Sequence, residues 1–123
     1  MRSLYTIRAI GQIVHVDLTP EFVFCLDHLQ PLWRDVTRFC GRRRHRRVLI
    51  EGHAPQRKME PPDVYEHGVL VRNLKPTDMR IAFCFHAYEV DKLTQHFESL
   101  ASTQRRRVRF FSDIETALKW VGI

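Results

Sequence analysis

Arginine is the residue type most concentrated where chemistry is possible in this chain. Arg42, Arg43, Arg44, Arg46 and Arg47 stand in RRRHRR, and Arg105, Arg106, Arg107 and Arg109 in RRRVR. Each set runs into an apolar stretch that reads as a strand. Guanidinium groups grip phosphates and carboxylates bidentately. If the two strands are parallel, both clusters lie at the end of the sheet where the strands begin, and a joint basic edge could hold phosphates there. The plainer reading is a pair of solvated loops that keep the protein soluble. No aromatic platform or nucleic-acid motif accompanies the arginines.

A second set of groups falls just after the apolar runs. Glu51, Gly52 and His53 follow VLI, His86 and Tyr88 follow RIAFCF, and Ser112 and Asp113 follow VRFF. In an open α/β sheet the crevice beyond the strand ends is the usual ligand site. Glu51 could orient one imidazole there, of His53 or His86, while the other serves as acid or base. The competing reading is ordinary loop and capping groups. The chain has seven histidines but no HxH, HExxH or CxxC, so a metal would need His53, His86 and a carboxylate to converge; no metal and no cofactor is expected. There is no GxSxG elbow and no Gly-rich phosphate loop. Cys84 sits inside an apolar run and reads as core; a Cys nucleophile needs an exposed, electropositive setting.

These groups must be positioned by short elements. Tyr5, Ile7 and Ala9 alternate with Thr6 and Arg8, Gly11-Gln12 interrupts, and Val14 and Val16 then alternate with His15 and Asp17, which predicts a β-hairpin. Thr19-Pro20-Glu21 reads as a helix start. The stripe Phe22, Cys25, Leu26, Leu29, Leu32, Trp33, Val36 and Phe39-Cys40 continues it to Gly41, with a kink or break expected near Pro31. That stripe packs on the sheet, or else lines an apolar pocket or a dimer face. Val48-Leu49-Ile50 predicts a buried strand, His53 to Pro62 a loop, Asp63 to Leu74 a weakly marked helix, and Lys75 to Asp78 a turn. Arg80 to His86 predicts a strand, and Val90 to Ala101 an amphipathic helix. Val108 to Phe111 predicts a last strand, and Ser112-Asp113-Ile114-Glu115 a capping box opening a helix with the stripe Ile114, Ala117, Leu118 and Val121. Alternation of strands and helices implies right-handed crossovers and a largely parallel sheet, the hairpin adding an antiparallel edge.

This order, with DLTPEF at residues 17–22, the strand RIAFCF and the ending VRFFSDIETALKW, resembles the SpoIIAA-like branch of the STAS (sulfate transporter and anti-sigma factor antagonist) superfamily. The resemblance spans nearly the whole chain and rests on structural motifs. It implies a mixed sheet of four to five strands with helices mainly on one face, and binding or regulation more often than catalysis. Sigma-factor regulators of that superfamily carry a phosphorylated Ser or Thr at the helix after the central strand. The corresponding stretch here is Glu51-Gly52-His53-Ala54-Pro55, and no Ser or Thr follows before Thr77, so no phosphorylation site is carried over.

The bulk composition agrees with one α/β domain. With 123 residues, 44% hydrophobic and 28% charged, the chain can bury roughly two thirds of its unfolded surface without a disulfide or metal. Three cysteines without CxxC spacing suit free thiols, Cys25 and Cys84 buried, in a reducing compartment. MRSLYTIRAI, with neither a long apolar stretch nor a small-residue cleavage site, is not expected to be a signal peptide, no apolar run is long enough to span a membrane, and the protein is read as cytoplasmic. A net charge of +6 favours anionic partners. The expectation is therefore a non-enzymatic binding or regulatory module. It would recognise a protein partner or a small apolar or anionic ligand near Glu51, His53, His86 and Tyr88, or beside the first helix. Two alternatives stand beside it: nucleic-acid or anionic-membrane binding through arginines 42–47 and 105–109, and a small enzyme using His53 and Glu51. A homodimer hiding the sheet edge is also open.

Overall fold

The structure is a computed structural model. It describes residues 3–53, 56–75, 77–86, 91–103 and 105–122, Arg57 by its backbone alone. Along the chain run β1 (Tyr5–Ile10), β2 (Ile13–Leu18), β3 (Val23–Phe24), α1 (Leu26–Arg43), β4 (Arg47–Gly52), β5 (Gln56–Arg57), α2 (Pro61–Arg72), β6 (Arg80–Phe85), α3 (Lys92–Ala101), β7 (Arg107–Phe111) and α4 (Ile114–Val121). Five strands form one sheet in the order β1-β2-β4-β6-β7, and β3 and β5 pair separately. The hairpin β1–β2 is antiparallel, from Tyr5↔Leu18 to Ile10↔Ile13. Its two-residue turn depends on Gly11 at φ 60, a conformation that favours glycine. The pairs β2–β4, β4–β6 and β6–β7 are parallel, as the strand–helix alternation predicts.

The period-2 pattern sorts side chains to two faces. Val14, Val16, Val48, Ile50, Ile81, Phe83, Phe85, Val108 and Phe110 bury one face beneath α1, α2 and α3, where Leu29, Leu32, Trp33, Val36, Val64, Val71 and Phe97 meet them. On the other face Ile13, Leu49, Ala82, Cys84 and Phe111 pack with Ala117 and Val121 of α4. That helix is eight residues long and lies over β4, β6 and β7. The hairpin's half of this face is left open, and Ile10 there is 53% exposed.

Several boundaries differ from the sequence expectation. The first helix starts at Leu26, because Phe22 and Phe24 bury as an extended segment and β3 pairs with β5. Thr19 is a turn residue whose hydroxyl donates to Leu4 O, so it caps no helix. α1 runs unbroken through Pro31; near a helix start the missing N–H forfeits a single bond, to the carbonyl four residues back. It also passes Gly41 and ends where Arg44 takes the left-handed conformation (φ 58), so Arg42 and Arg43 are helical. Leu29, Leu32, Trp33, Val36 and Cys40 are all buried, which makes the stripe core. The cap of α4 is Asp113, accepting from Thr116 N at 3.0 Å, in place of Ser112. Cys40 and Cys84 are buried, while Cys25 is half-buried.

Where α2 meets α3, a Cβ at Gly68 would lie 2.8 Å from Leu100 Cβ. Leu100 Cβ cannot swing away as a side-chain tip can, so the helices would have to part. Gly68→Ala is expected to lower stability by about 1–2 kcal/mol, despite alanine's better helix propensity. Urea unfolding checks this, and a stabilised variant would overturn it.

Candidate functional site

On the open half of the α4 face, Glu51 of β4 lies between two imidazoles from its neighbouring strands. The parallel register sets Glu51 beside Asp17 of β2 and Cys84 of β6. His15 shares the face of Asp17, and His86 follows β6 directly. His15 Nε2 lies 2.8 Å from Glu51 Oε1, and His86 Nε2 lies 2.6 Å from Oε2. A carboxylate only accepts, so both imidazoles donate their Nε2–H. Burial pushes the Glu51 carboxyl up, but the hydrogen bonds and charges of His15 and His86 outweigh it and hold the carboxyl below its usual range. Glu51 is thus a fixed anion that orients two rings, and a poor base.

Cys84 stands beside it on the same face. Burial, then the negative charges of Glu51 and Asp113, push its thiol up to about 11. At neutral pH it stays protonated, in keeping with a core residue and unsuited to nucleophilic attack. Among the described residues no group of three His, Cys, Asp or Glu is arranged to hold a metal ion.

His15 and Glu51 form the polar floor of a groove of about 570 Å³ between the hairpin and α4. Ile10, Ile13, Leu49, Ile114 and Leu118 form its walls, with Arg8 and Arg47 also lining it. Such a volume is that of a small-molecule site. His15 is 8% exposed, and its Nδ1 has no hydrogen-bond partner among the described residues. In the neutral ring this atom is an acceptor.

Of the strand-end residues singled out in the sequence, Glu51 and His86 therefore meet. His53 is exposed; of the two imidazoles the sequence offered to Glu51, His86 is the one that meets it, and the second ring on Glu51 is His15. Tyr88 lies outside the described residues. A shallower depression of about 340 Å³ beside α1 is lined by Tyr5, Asp35, Arg38, Phe39, Arg42 and Arg43 among others.

The arginines divide by role. Arg42 is exposed on the last turn of α1, and Arg43 stacks 4.4 Å over the Phe39 ring. Arg44 ends that helix. Arg46 pairs with Asp78 at 3.0 Å, and Arg47 donates to Gly122 O at 2.8 Å. Arg105 and Arg107 are exposed. Arg109 lies 5.7 Å from the Phe111 ring centroid. Arg106 departs from the expected anion-binding set: it is 1% exposed and donates to the carbonyls of Val71, Arg72 and Leu74 at the end of α2.

Nothing in the sequence marks His15 as a site residue. Its only local sign is its place opposite Val14 and Val16 on an alternating strand, and its partner is 36 positions away. No protein-family model matches this chain, and no curated protein matches it. Among the described residues no helix is long and apolar enough to cross a membrane.

Proposed function

We propose that this protein is a non-enzymatic binding module of STAS-like type, which takes a small amphipathic acid in the groove between the hairpin and α4. The observation that carries this reading is the groove's division into apolar walls and a hydrogen-bonded His15–Glu51 floor with two arginines beside it. The walls suit a hydrocarbon body. Arg8 and Arg47 outweigh the single charge of Glu51, so the field favours an anionic head. The carboxylate is already engaged by two imidazoles and the adjacent thiol stays protonated, which supports binding over turnover.

Laurate is a suitable probe, with binding followed by calorimetry and by displacement of anilinonaphthalene sulfonate. Saturable binding is expected. Ile10→Asp should weaken it roughly tenfold, the worth of one buried aliphatic contact. Tyr65→Asp, at the other exposed large hydrophobic among the described residues and on the opposite face, should leave it unchanged. No binding, or equal loss in both variants, would rule the groove out.

A further inference from the structure

The two arginine-rich segments meet at the end of the sheet where the parallel strands begin, and a third strand joins them. Arg47, Arg80 and Arg107 are register partners across β4, β6 and β7. They stand side by side on the α4 face, spanning two strand spacings or about 10 Å. Like charges directly opposite on neighbouring strands repel. Compensation here is partial. Arg47 and Arg80 each donate to a carbonyl at the C-terminal end of α4, Gly122 at 2.8 Å and Trp120 at 2.9 Å. The guanidinium of Arg107 has no hydrogen bond or ion pair among the described residues, its backbone N–H donating to Met79 O.

Arg46 and Arg105 complete the cluster around a cleft of about 390 Å³ whose one carboxylate among the described residues is Asp78. That carboxylate is already paired with Arg46. Five arginines therefore line a concavity with one acid among the described residues. Two of them are held in place by backbone carbonyls and one by an ion pair, so the donors are partly preorganised.

We infer that the cleft formed by Arg46, Arg47, Arg80, Arg105 and Arg107 is a binding site for a compact oligophosphate, such as the phosphate chain of a triphosphate. A row of phosphoryl groups offers acceptors along the length of the ladder, and each guanidinium can engage two oxygens. A single-stranded nucleic acid is the poorer fit. Its binding sites interleave bases with free aromatic faces, and the aromatic residue beside this cleft, Trp120, is packed on Phe111 with ring centroids 5.4 Å apart. Arg80 lies over the same ring at 5.6 Å. This site is separate from the groove floor at Glu51, although Arg47 lines both.

Inorganic tripolyphosphate, titrated by calorimetry at about 50 mM and about 200 mM salt, tests the inference. Saturable binding that weakens with salt is expected. Arg105→Gln with Arg107→Gln should weaken it at least tenfold, because both side chains are exposed and free of structural bonds. Arg42→Gln with Arg43→Gln removes the same charge and should change it less than twofold. Amide chemical-shift changes in the unmodified protein give a reading that needs no variant, and they should centre on residues 46–47, 79–80 and 105–107. Absence of binding at the lower salt, equal loss in the two double variants, or shifts spread over the whole surface would overturn the site. So would an unphosphorylated-end RNA oligonucleotide that displaces tripolyphosphate at equal phosphate concentration.

Discussion

Arg106→Leu is expected to lower the unfolding free energy by about 3–5 kcal/mol, while Arg105→Leu, one residue earlier, changes it by no more than about 0.5 kcal/mol. A helix ends with carbonyls that have no donor from within the helix. α2 ends at Arg72, and Arg106, 1% exposed, lies against its last turn. Arg106 supplies donors there: one guanidinium nitrogen serves Val71 O and Arg72 O, and the other serves Leu74 O. A cation at a helix C-terminus is also favoured by the helix dipole. Burial lowers the pKa of the guanidinium, partly offset by Asp78, but an arginine stays charged at any ordinary pH. Leucine would fill much of the space and take this donor from Arg72 O and Leu74 O, while Val71 O would keep Leu74 N at 3.2 Å. Lysine, with a single ammonium, should restore only part of the loss. Urea denaturation of the three variants decides the matter. Equal midpoints for Arg105→Leu and Arg106→Leu would show that solvent replaces the guanidinium at no cost.

The second large effect is acid lability traced to one histidine. His67 of α2 is 1% exposed, stacks on Phe97 at 4.4 Å and accepts from Trp33 Nε1 at 2.8 Å. Accepting at Nε2 requires a neutral ring, and burial pushes its pKa down to about 3 from an ordinary 6.5. The unfolded chain therefore binds a proton below pH 6.5 that the folded protein refuses until about pH 3. Its contribution is fully present above the unfolded value and is lost as pH falls through that window. By pH 5 the loss amounts to about 2 kcal/mol. His67→Gln keeps an acceptor for Trp33 but has nothing to titrate. It should be less stable than the parent at pH 7 and yet show a drop from pH 7 to pH 5 smaller by about 2 kcal/mol. Glu51 does not confuse the comparison, because its carboxyl is held below 4.5 and its contribution is lost only at lower pH. An unchanged pH 7 to pH 5 difference in His67→Gln would refute the assignment.

These two residues show what kind of information is local. Arg105, Arg106 and Arg107 are identical in type and consecutive, so composition and spacing gave them one shared role. The chain direction entering β7 turns Arg106 inward and its neighbours outward, and the target of Arg106 lies about 35 positions earlier. The same holds for Glu51. Its place past a strand marked it as a site residue, and His86 was marked for the same reason. Its second partner, His15, depends on which strand lies on the other side of β4 and in what register. His53, adjacent in sequence and chemically as suitable, does not take part. Pro31 errs in the opposite direction: its local cost is real, but the forfeited bond to Asp27 O is a single one and α1 continues through it.

The sequence by itself determined the alternation of elements, the hairpin turn at Gly11-Gln12 and the parallel sheet. Each follows from side-chain periodicity over a handful of adjacent residues, and burial of those stripes is the largest favourable term in folding. It also determined that the arginine-rich segments would share the end of the sheet where strands begin, since parallel strands start on one side. Only the tertiary structure decided which polar groups meet. It put His15 on Glu51, sent Arg106 into the carbonyls of α2, added Arg80 to the basic ladder and left half of one sheet face uncovered by the short α4. Those outcomes depend on strand order, register and helix length against sheet width, which are set by the packing of the whole chain and leave no periodic trace in any one segment.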